Sequence, residues 1–370
     1  MGTPSAGVST PLLDILRRRI AAEGPISVAA YMGECLLHPE HGYYRSQEAI
    51  GRRGDFITAP EISQMFGELL GLWAADYWQR MGAPQNCYLV ELGPGRGTLM
   101  HDALRAARAL PPFRAAVTPV LVEASQRMVD MQRETLAGEK AEWCGTVASL
   151  PTDAPLIVLA NEFLDALPVR QFQRGDDGAW HERCVGLSDD GKALQFMLDP
   201  RAMPLDDILP PALRGAPPGA IVESSPAMRA VASEISARLL TQGGVALFVD
   251  YGYDRPGLGE TLQAVRHHAY ADPLAEPGLA DLTAHVDFAA FAASARKAGA
   301  AAYGPVGQGA FLEALGIRAR AERLRANANA SQRIDIDAAL HRLTAPEAMG
   351  TLFKAIALTP PHAPEPAGFA

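Results

Sequence analysis

An apolar run that ends in an acid and passes straight into three alternating glycines, Tyr88-Leu-Val-Glu-Leu-Gly-Pro-Gly-Arg-Gly-Thr-Leu-Met100, constrains this chain more than any other feature. A strand must end there, turn sharply and start a helix. Gly93, Gly95 and Gly97 lack a Cβ, so the backbone can take positive φ and approach a ligand closely. A helix starting near Thr98 then points its unpaired N–H groups at that ligand. The dinucleotide fingerprint G-x-G-x-x-G brings a pyrophosphate to the same place. Here the third glycine comes one residue early, and Glu91 precedes the loop. An acid at that point suits a ligand with positive charge and no phosphate. S-adenosylmethionine (SAM), with its sulfonium and amino group, fits better than NAD. A tight strand–helix turn without a ligand has the same local pattern, so the neighbouring strands carry the decision.

Pro119-Val-Leu-Val-Glu123 is a second short buried strand ending in an acid, and Ser125 then caps a helix carrying Met128, Met131, Gln132 and Leu136. In a doubly wound sheet the acid closing the second strand lies beside the first glycine loop, where it can accept hydrogen bonds from both ribose hydroxyls. Glu123 is the candidate for that role, the alternative being an exposed strand-end carboxylate. A third buried run, Leu156-Ile-Val-Leu-Ala160, leads into Asn161-Glu-Phe-Leu-Asp-Ala-Leu-Pro168. Three strand ends in order predict a Rossmann-like α/β fold.

At 370 residues the chain exceeds the usual size of one domain, and 48% apolar with 20% charged residues is the balance of a folded protein. A net charge of −9 argues against general nucleic-acid binding, which needs a basic surface. Cys35, Cys87, Cys144 and Cys184 are far apart, so neither a zinc knot nor a disulfide framework is expected. His38-Pro-Glu-His41 superficially resembles a metal motif, but its proline and loop-like setting argue against one, and no metal is expected. No apolar stretch approaches the roughly 18 residues of a membrane span. Arg17, Arg18 and Arg19 follow Leu12, Leu13, Ile15 and Leu16, the reverse of a secretory signal's order, and predict a cytoplasmic enzyme.

Three consecutive regions are expected. Residues 1–60 form a helical and glycine-rich cap, 61–260 a SAM-binding core with a hairpin insertion near 169–200, and 261–370 C-terminal strands and helices that complete the sheet and its substrate side. Thr10 caps a first helix with Pro11 in its first turn, and Ser27 a second. The glycine-rich segment running through Gly51, Gly54, Asp55 and Phe56 follows. Pro60 starts a helix with Ile62, Met65, Phe66, Leu69, Leu70, Trp73 and Tyr77 on one face. Gly175-Asp-Asp-Gly178 between two β-like runs signals a hairpin. Residues 199–219 have the proline content of a surface loop, and helices are expected near 287–298, 308–326 and 331–343.

The blocks His38-Pro…His41-Gly-Tyr-Tyr44, Gly54-Asp-Phe-Ile-Thr-Ala-Pro-Glu-Ile-Ser-Gln64, Val90–Leu99, Ala160–Pro168, Asp250-Tyr-Gly252 and Asp281-Leu-Thr-Ala-His-Val-Asp-Phe288 resemble the mitochondrial complex I assembly-factor methyltransferases and their bacterial, MidA-like relatives. The resemblance spans roughly residues 10–357. It implies a class I SAM-dependent methyltransferase fold with a seven-stranded, mostly parallel sheet and added helices, and as substrate a protein arginine, with a respiratory complex I subunit as the implied partner. It also implies that Glu91, Gly93, Gly95, Gly97 and Thr98 form the SAM loop, that Glu123 is the ribose acid, and that Asn161 joins them. Thr58, Pro60 and Ser63 are implied to close over the cofactor. The Asn161-Glu162 block falls where protein arginine methyltransferases carry two glutamates that grip the guanidinium. Here Glu162 is followed by Asp165 instead of a second glutamate. Thr283-Ala-His285 is similar to the Thr-His pair on the substrate side of those enzymes.

These residues suggest a division of labour. A guanidinium is protonated and poorly nucleophilic. Glu162 can orient it through a forked hydrogen bond and stabilise the charge that develops, while His285 or Asp165 takes the proton. A helix-start carboxylate bound to backbone N–H groups is the other reading of Glu162. Small-molecule methylation and a non-catalytic, SAM-binding assembly chaperone stay open as alternatives, whereas the glycine spacing speaks against an NAD-linked oxidoreductase.

Overall fold

The strand that the glycine turn ends, β1 (Cys87–Leu92), is central to a sheet whose other members include β2 (Val117–Val122), β3 (Glu142–Cys144), β4 (Leu156–Asn161), β5 (Gly244–Tyr253), β6 (Ala301–Gly307) and β7 (Phe353–Thr359). On one path the strands run β3-β2-β1-β4-β5-β7-β6. Pairing is parallel from β3 through β5, and β7 is antiparallel to both of its neighbours. β4 and most of β5 are buried along their length, as expected of parallel strands covered on both faces. The core of this unit includes Met65, Phe66, Leu70 and Trp73 from α1 (Gln64–Arg80). Burying each such side chain contributes about 1.5–3 kcal/mol.

The computed structural model describes residues 10–44 and 58–369. Gly51, Gly54, Asp55 and Phe56 lie outside these described residues. Where three consecutive regions were expected, the chain forms two units, one made of residues 10–44, 165–228 and 255–287, the other of 58–164, 229–254 and 288–369. The cause is topological. The chain leaves the sheet after β4 and again after β5, and both excursions join the N-terminal helices around a separate core containing Leu16, Tyr31, Met32, Val169, Val185, Leu262 and Leu282. This second unit has its own sheet, Ile26–Ser27 beside Trp180–Leu187, then Arg170–Arg174 and Ile221–Ser224, with Leu194–Met203 also pairing Trp180–Leu187. The expected hairpin is present, with Arg174 opposite Trp180.

The first helices start where their caps predicted, the Thr10 and Ser27 side chains accepting from Leu13 N and Ala30 N. Other boundaries move. Pro60 belongs to a short helix, Ala59–Ile62, and the long apolar stripe starts afresh at Gln64, because extended Ser63 breaks the chain and caps α1 by accepting from Met65 N at 3.2 Å. Residues 199–219 are not wholly loop, since Leu194–Met203 continues as a strand and two short 3-10 turns follow. The helix expected over 308–326 is two, Gln308–Ala314 and Ile317–Ala326, separated at Gly316 with φ +87°.

Candidate functional site

β1 ends level with its parallel neighbours, Leu92 lying opposite Val122 of β2 and Ala160 of β4. The three strands therefore deliver Gly93, Glu123 and Asn161 to one edge of the sheet, where open α/β sheets bind ligands. Gly93, Gly95 and Gly97 all have positive φ, +62°, +50° and +82°. A Cβ on Gly93 would also stand 2.8 Å from a ring carbon of Phe163. The turn thus needs glycine for backbone conformation and for space.

α2 (Thr98–Ala107) starts from Gly97, which has no side chain with which to cap it. Glu91 supplies the cap from within the sheet, its Oε2 accepting from Met100 N at 3.1 Å. The side chain is buried, and burial pushes its carboxyl up to about 8 against the opposing pull of the Met100 N–H. Burial thus favours the neutral form of Glu91 in the ligand-free protein, and its contact with Met100 N shapes the loop.

Glu123 follows β2 directly. Its Oε1 accepts from Ser125 N at 2.7 Å and its Oε2 from Gln132 Nε2 at 3.1 Å. Ser125 occupies the N-cap position of α3 (Gln126–Thr135) without a side-chain cap bond, so the expected serine cap is replaced by the Glu123 carboxylate binding its backbone. Gln132, fully buried on α3, also donates to the Gly95 carbonyl at 2.8 Å and accepts from Trp143 Nε1 at 2.9 Å.

The segment before α1 is tied to this edge twice. Thr98 Oγ1 donates to Glu61 Oε1 at 2.5 Å, and Ala59 N donates to Glu162 Oε1 at 2.9 Å. Between them the Thr58 carbonyl accepts from Glu61 N and Ile62 N, and Pro60 is buried in the first turn. Thr58, Pro60 and Ser63 thus act through backbone shape and capping, while Glu61 makes the side-chain contact.

Asn161 and Glu162 close β4. Glu162 takes φ +50°, unusual for a residue with a Cβ. Its N–H donates to the Val249 carbonyl at 2.9 Å, and Asp250 Oδ2 accepts from Phe163 N at 3.0 Å and Leu164 N at 2.8 Å, so the turn is held from β5. Asn161 Nδ2 donates to Glu162 Oε1 at 3.0 Å. The Asn161 Oδ1 atom is buried with no hydrogen-bond partner among the described residues. A buried orphan acceptor is costly unless a donor completes it, and the amino group of SAM is a donor of the required kind. Positive-φ glycines, a part-exposed carboxylate and an orphan acceptor on one strand edge fit SAM, and Gly93, Gly95, Gly97, Glu123 and Asn161 are the residues that would hold it.

Asp165 and His285 belong to the other unit. The buried Asp165 accepts through its backbone carbonyl from Ala284 N at 3.0 Å, which brings it to the Thr283-Ala-His285 turn. His285 N donates to Thr261 Oγ1 at 2.9 Å, and Thr261 N to Glu223 Oε1 at 3.0 Å. Burial lowers the His285 imidazole below its ordinary range, the Glu223 charge acting in the opposite direction. Among the described residues no cluster of histidine, cysteine or acids could hold a metal ion, and no helix is long and apolar enough to cross a membrane.

Sequence reasoning missed Gln132, Glu61 and Asp250 as site residues. Gln132 carried a signal, because it stands midway between Met128 and Leu136 at four-residue spacing, a polar residue within an apolar stripe.

The strand order, the reversal of β7 alone, the glycine turn after β1 and the acid after β2 define a class I SAM-dependent methyltransferase. Comparison with known proteins gives the family. Residues 69–306 match the family described as "Putative S-adenosyl-L-methionine-dependent methyltransferase". The Drosophila melanogaster protein named protein arginine methyltransferase NDUFAF7 homolog, mitochondrial, is 38% identical over 93% of this chain and 84% of its own. Its Homo sapiens counterpart is 36% identical over 96% and 85%. The crystal structure of a COG1565 superfamily member from Burkholderia thailandensis, bound to S-adenosyl-homocysteine, superposes with a TM-score of 0.83 at 30% identity, covering 98% of this chain and 97% of that one. This chain belongs to that SAM-dependent methyltransferase family, and its cofactor is SAM.

Proposed function

We propose that this methyltransferase modifies an arginine of a protein substrate, and that the target is a subunit of respiratory complex I. The observation that carries the reading is the length of the match to relatives named protein arginine methyltransferases, 93% and 96% of this chain at 38% and 36% identity. The complex I target rests on the resemblance of the sequence blocks to the assembly-factor methyltransferases.

SAM supplies a methyl group made electrophilic by its sulfonium. The chain's own task is to align a nucleophile with it, and such alignment can supply roughly 7–11 kcal/mol of the barrier. Glu162 is the proposed anchor for the guanidinium. Its Oε1 is committed to Ala59 N and Asn161 Nδ2, which fixes the plane of the carboxylate. A carboxylate has about four lone-pair sites, so further N–H donors can be accepted in that plane. His285 and Asp165 are the proposed proton acceptors, His285 being the stronger candidate because burial keeps it neutral. We extend the proposal to the cytoplasm as the compartment, since all four cysteines are free thiols and three are buried.

The test is incubation of purified protein and radiolabelled SAM with lysate from a strain lacking the protein, followed by identification of the labelled species. Methylarginine in a complex I subunit supports the proposal. Label in a small molecule overturns it, and no label under conditions where SAM binds identifies a non-catalytic binding protein.

A further inference from the structure

We propose that Gln132 is a positioning residue that locks the glycine loop and the Glu123 carboxylate into one rigid ribose-recognition unit. The inference rests on Glu123 as the ribose acid. Three contacts meet on one buried amide. Trp143 Nε1 is 2.9 Å from Gln132 Oε1, and Gln132 Nε2 is 2.8 Å from the Gly95 carbonyl and 3.1 Å from Glu123 Oε2.

The chemistry of these partners leaves the amide a single orientation. An indole N–H can only donate, so the amide oxygen must face Trp143. A carbonyl and a carboxylate can only accept, so both amide hydrogens are used, one toward each. The opposite flip would set acceptor against acceptor at two contacts. Gly95 is one of the positive-φ glycines of the loop, and Glu123 is held on its other oxygen by Ser125 N. One side chain, fully excluded from solvent, therefore sets the separation and angle between the loop backbone and the carboxylate. A carboxylate presented to a vicinal diol must keep both oxygens aimed while the loop holds the rest of the ligand, and preorganisation of this kind saves the ordering cost at binding.

The test uses calorimetry with two probes, S-adenosylhomocysteine and its 2′,3′-dideoxy analogue, against wild type, Gln132→Met, Gln132→Glu and Trp143→Phe. In Gln132→Met, which keeps length and loses both donors, affinity for S-adenosylhomocysteine falls about ten- to a hundredfold. The preference for the diol over the dideoxy analogue shrinks by a similar factor. Trp143→Phe keeps a ring and removes the orienting donor, and it shifts the same ratio in the same direction by less. Gln132→Glu binds weakly at pH 8 and recovers as the pH falls, because a protonated acid can donate one of the two lost bonds. A general loss of packing would lower both affinities together and leave their ratio, and its pH response, unchanged. Wild-type discrimination retained in Gln132→Met and Trp143→Phe overturns the role of Gln132. Failure of the wild type itself to prefer the diol overturns Glu123 as the ribose acid, and the proposal with it.

Discussion

The carboxylate of Glu162 accepts the backbone N–H of Ala59 at 2.9 Å, so the residue after β4 and the segment leading into α1 are joined through the side chain proposed to anchor the acceptor. Glu162 thus binds a backbone N–H at the start of Ala59–Ile62, and its role toward the acceptor is the proposal. Substituting it tests the two roles separately.

Glu162→Gln keeps an oxygen that can accept from Ala59 N and removes the charge. S-adenosylhomocysteine affinity should change by less than about threefold, while methylation of the natural substrate falls by about two orders of magnitude. Both are measured on one preparation, with circular dichroism reporting the fold. Near-normal turnover would remove Glu162 from the transfer step, and a parallel collapse of cofactor binding would reassign it to the SAM site.

Glu123→Ala should weaken S-adenosylhomocysteine binding by about 1–3 kcal/mol, the range for a charge-assisted hydrogen bond. Removing the ribose hydroxyls from the ligand should then cost the variant little more. Equal discrimination by variant and wild type in calorimetry would place the ribose elsewhere.

Gly95→Val should abolish S-adenosylhomocysteine binding, because φ +50° disfavours a β-branched residue and its methyls enter the space beside the loop. Wild-type protein should bind SAM and not NAD. Unchanged affinity in a folded Gly95→Val protein, or NAD binding as tight as SAM, would contradict the assignment of the loop.

The Glu91 carboxyl, pushed up to about 8 in the folded protein from 4.5, binds its proton more tightly when folded. The associated stability is fully present below 4.5 and is lost as the pH rises through about 8. Glu91→Gln keeps an acceptor for Met100 N and does not ionise, so its melting temperature relative to wild type should climb by several degrees, roughly, between pH 5 and pH 9. Scanning calorimetry at several pH values reads this directly. A difference that stays constant with pH would mean that the burial of Glu91 does not govern its ionisation.

A base must be neutral to accept a proton, and burial moves the His285 imidazole below its ordinary range. Turnover should therefore hold as the pH is lowered past that range and fall only beyond it. His285→Asn should remove this acid limb and reduce turnover by about a hundredfold. A limb that persists unchanged in the variant would assign the proton to another group, Asp165 first.

Much of the fold was legible because its determinants are local. β1, β2, β4 and β5 announce themselves as short apolar runs, and the caps Thr10 and Ser27 sit one residue before their helices. β3 was not recognised, and the C-terminal strands expected to complete the sheet were not located at β6 and β7. β3 is only Glu142–Cys144, and Ala301–Gly307 contains two glycines and a proline, Gly304, Pro305 and Gly307, so neither has the pattern of a buried strand. The glycine loop and Glu123 were readable as site residues, whereas Asp250 was not given a role because nothing in an apolar run ending in an acid says which backbone N–H groups that acid will meet.

The sequence by itself determined the α/β class, the cofactor pattern and the order of the strand ends, since steric freedom at glycine and the alternation of apolar runs with turns act over a few residues. Only the tertiary structure decided that segments on either side of the sheet strands condense into a second unit, that Glu91 is a buried cap for α2, and that Gln132 joins Gly95 to Glu123 across 37 and 9 positions. Burial and the choice of hydrogen-bond partner depend on which distant parts of the chain are brought together, and that choice raises the pKa of a carboxyl that would otherwise have ordinary acidity.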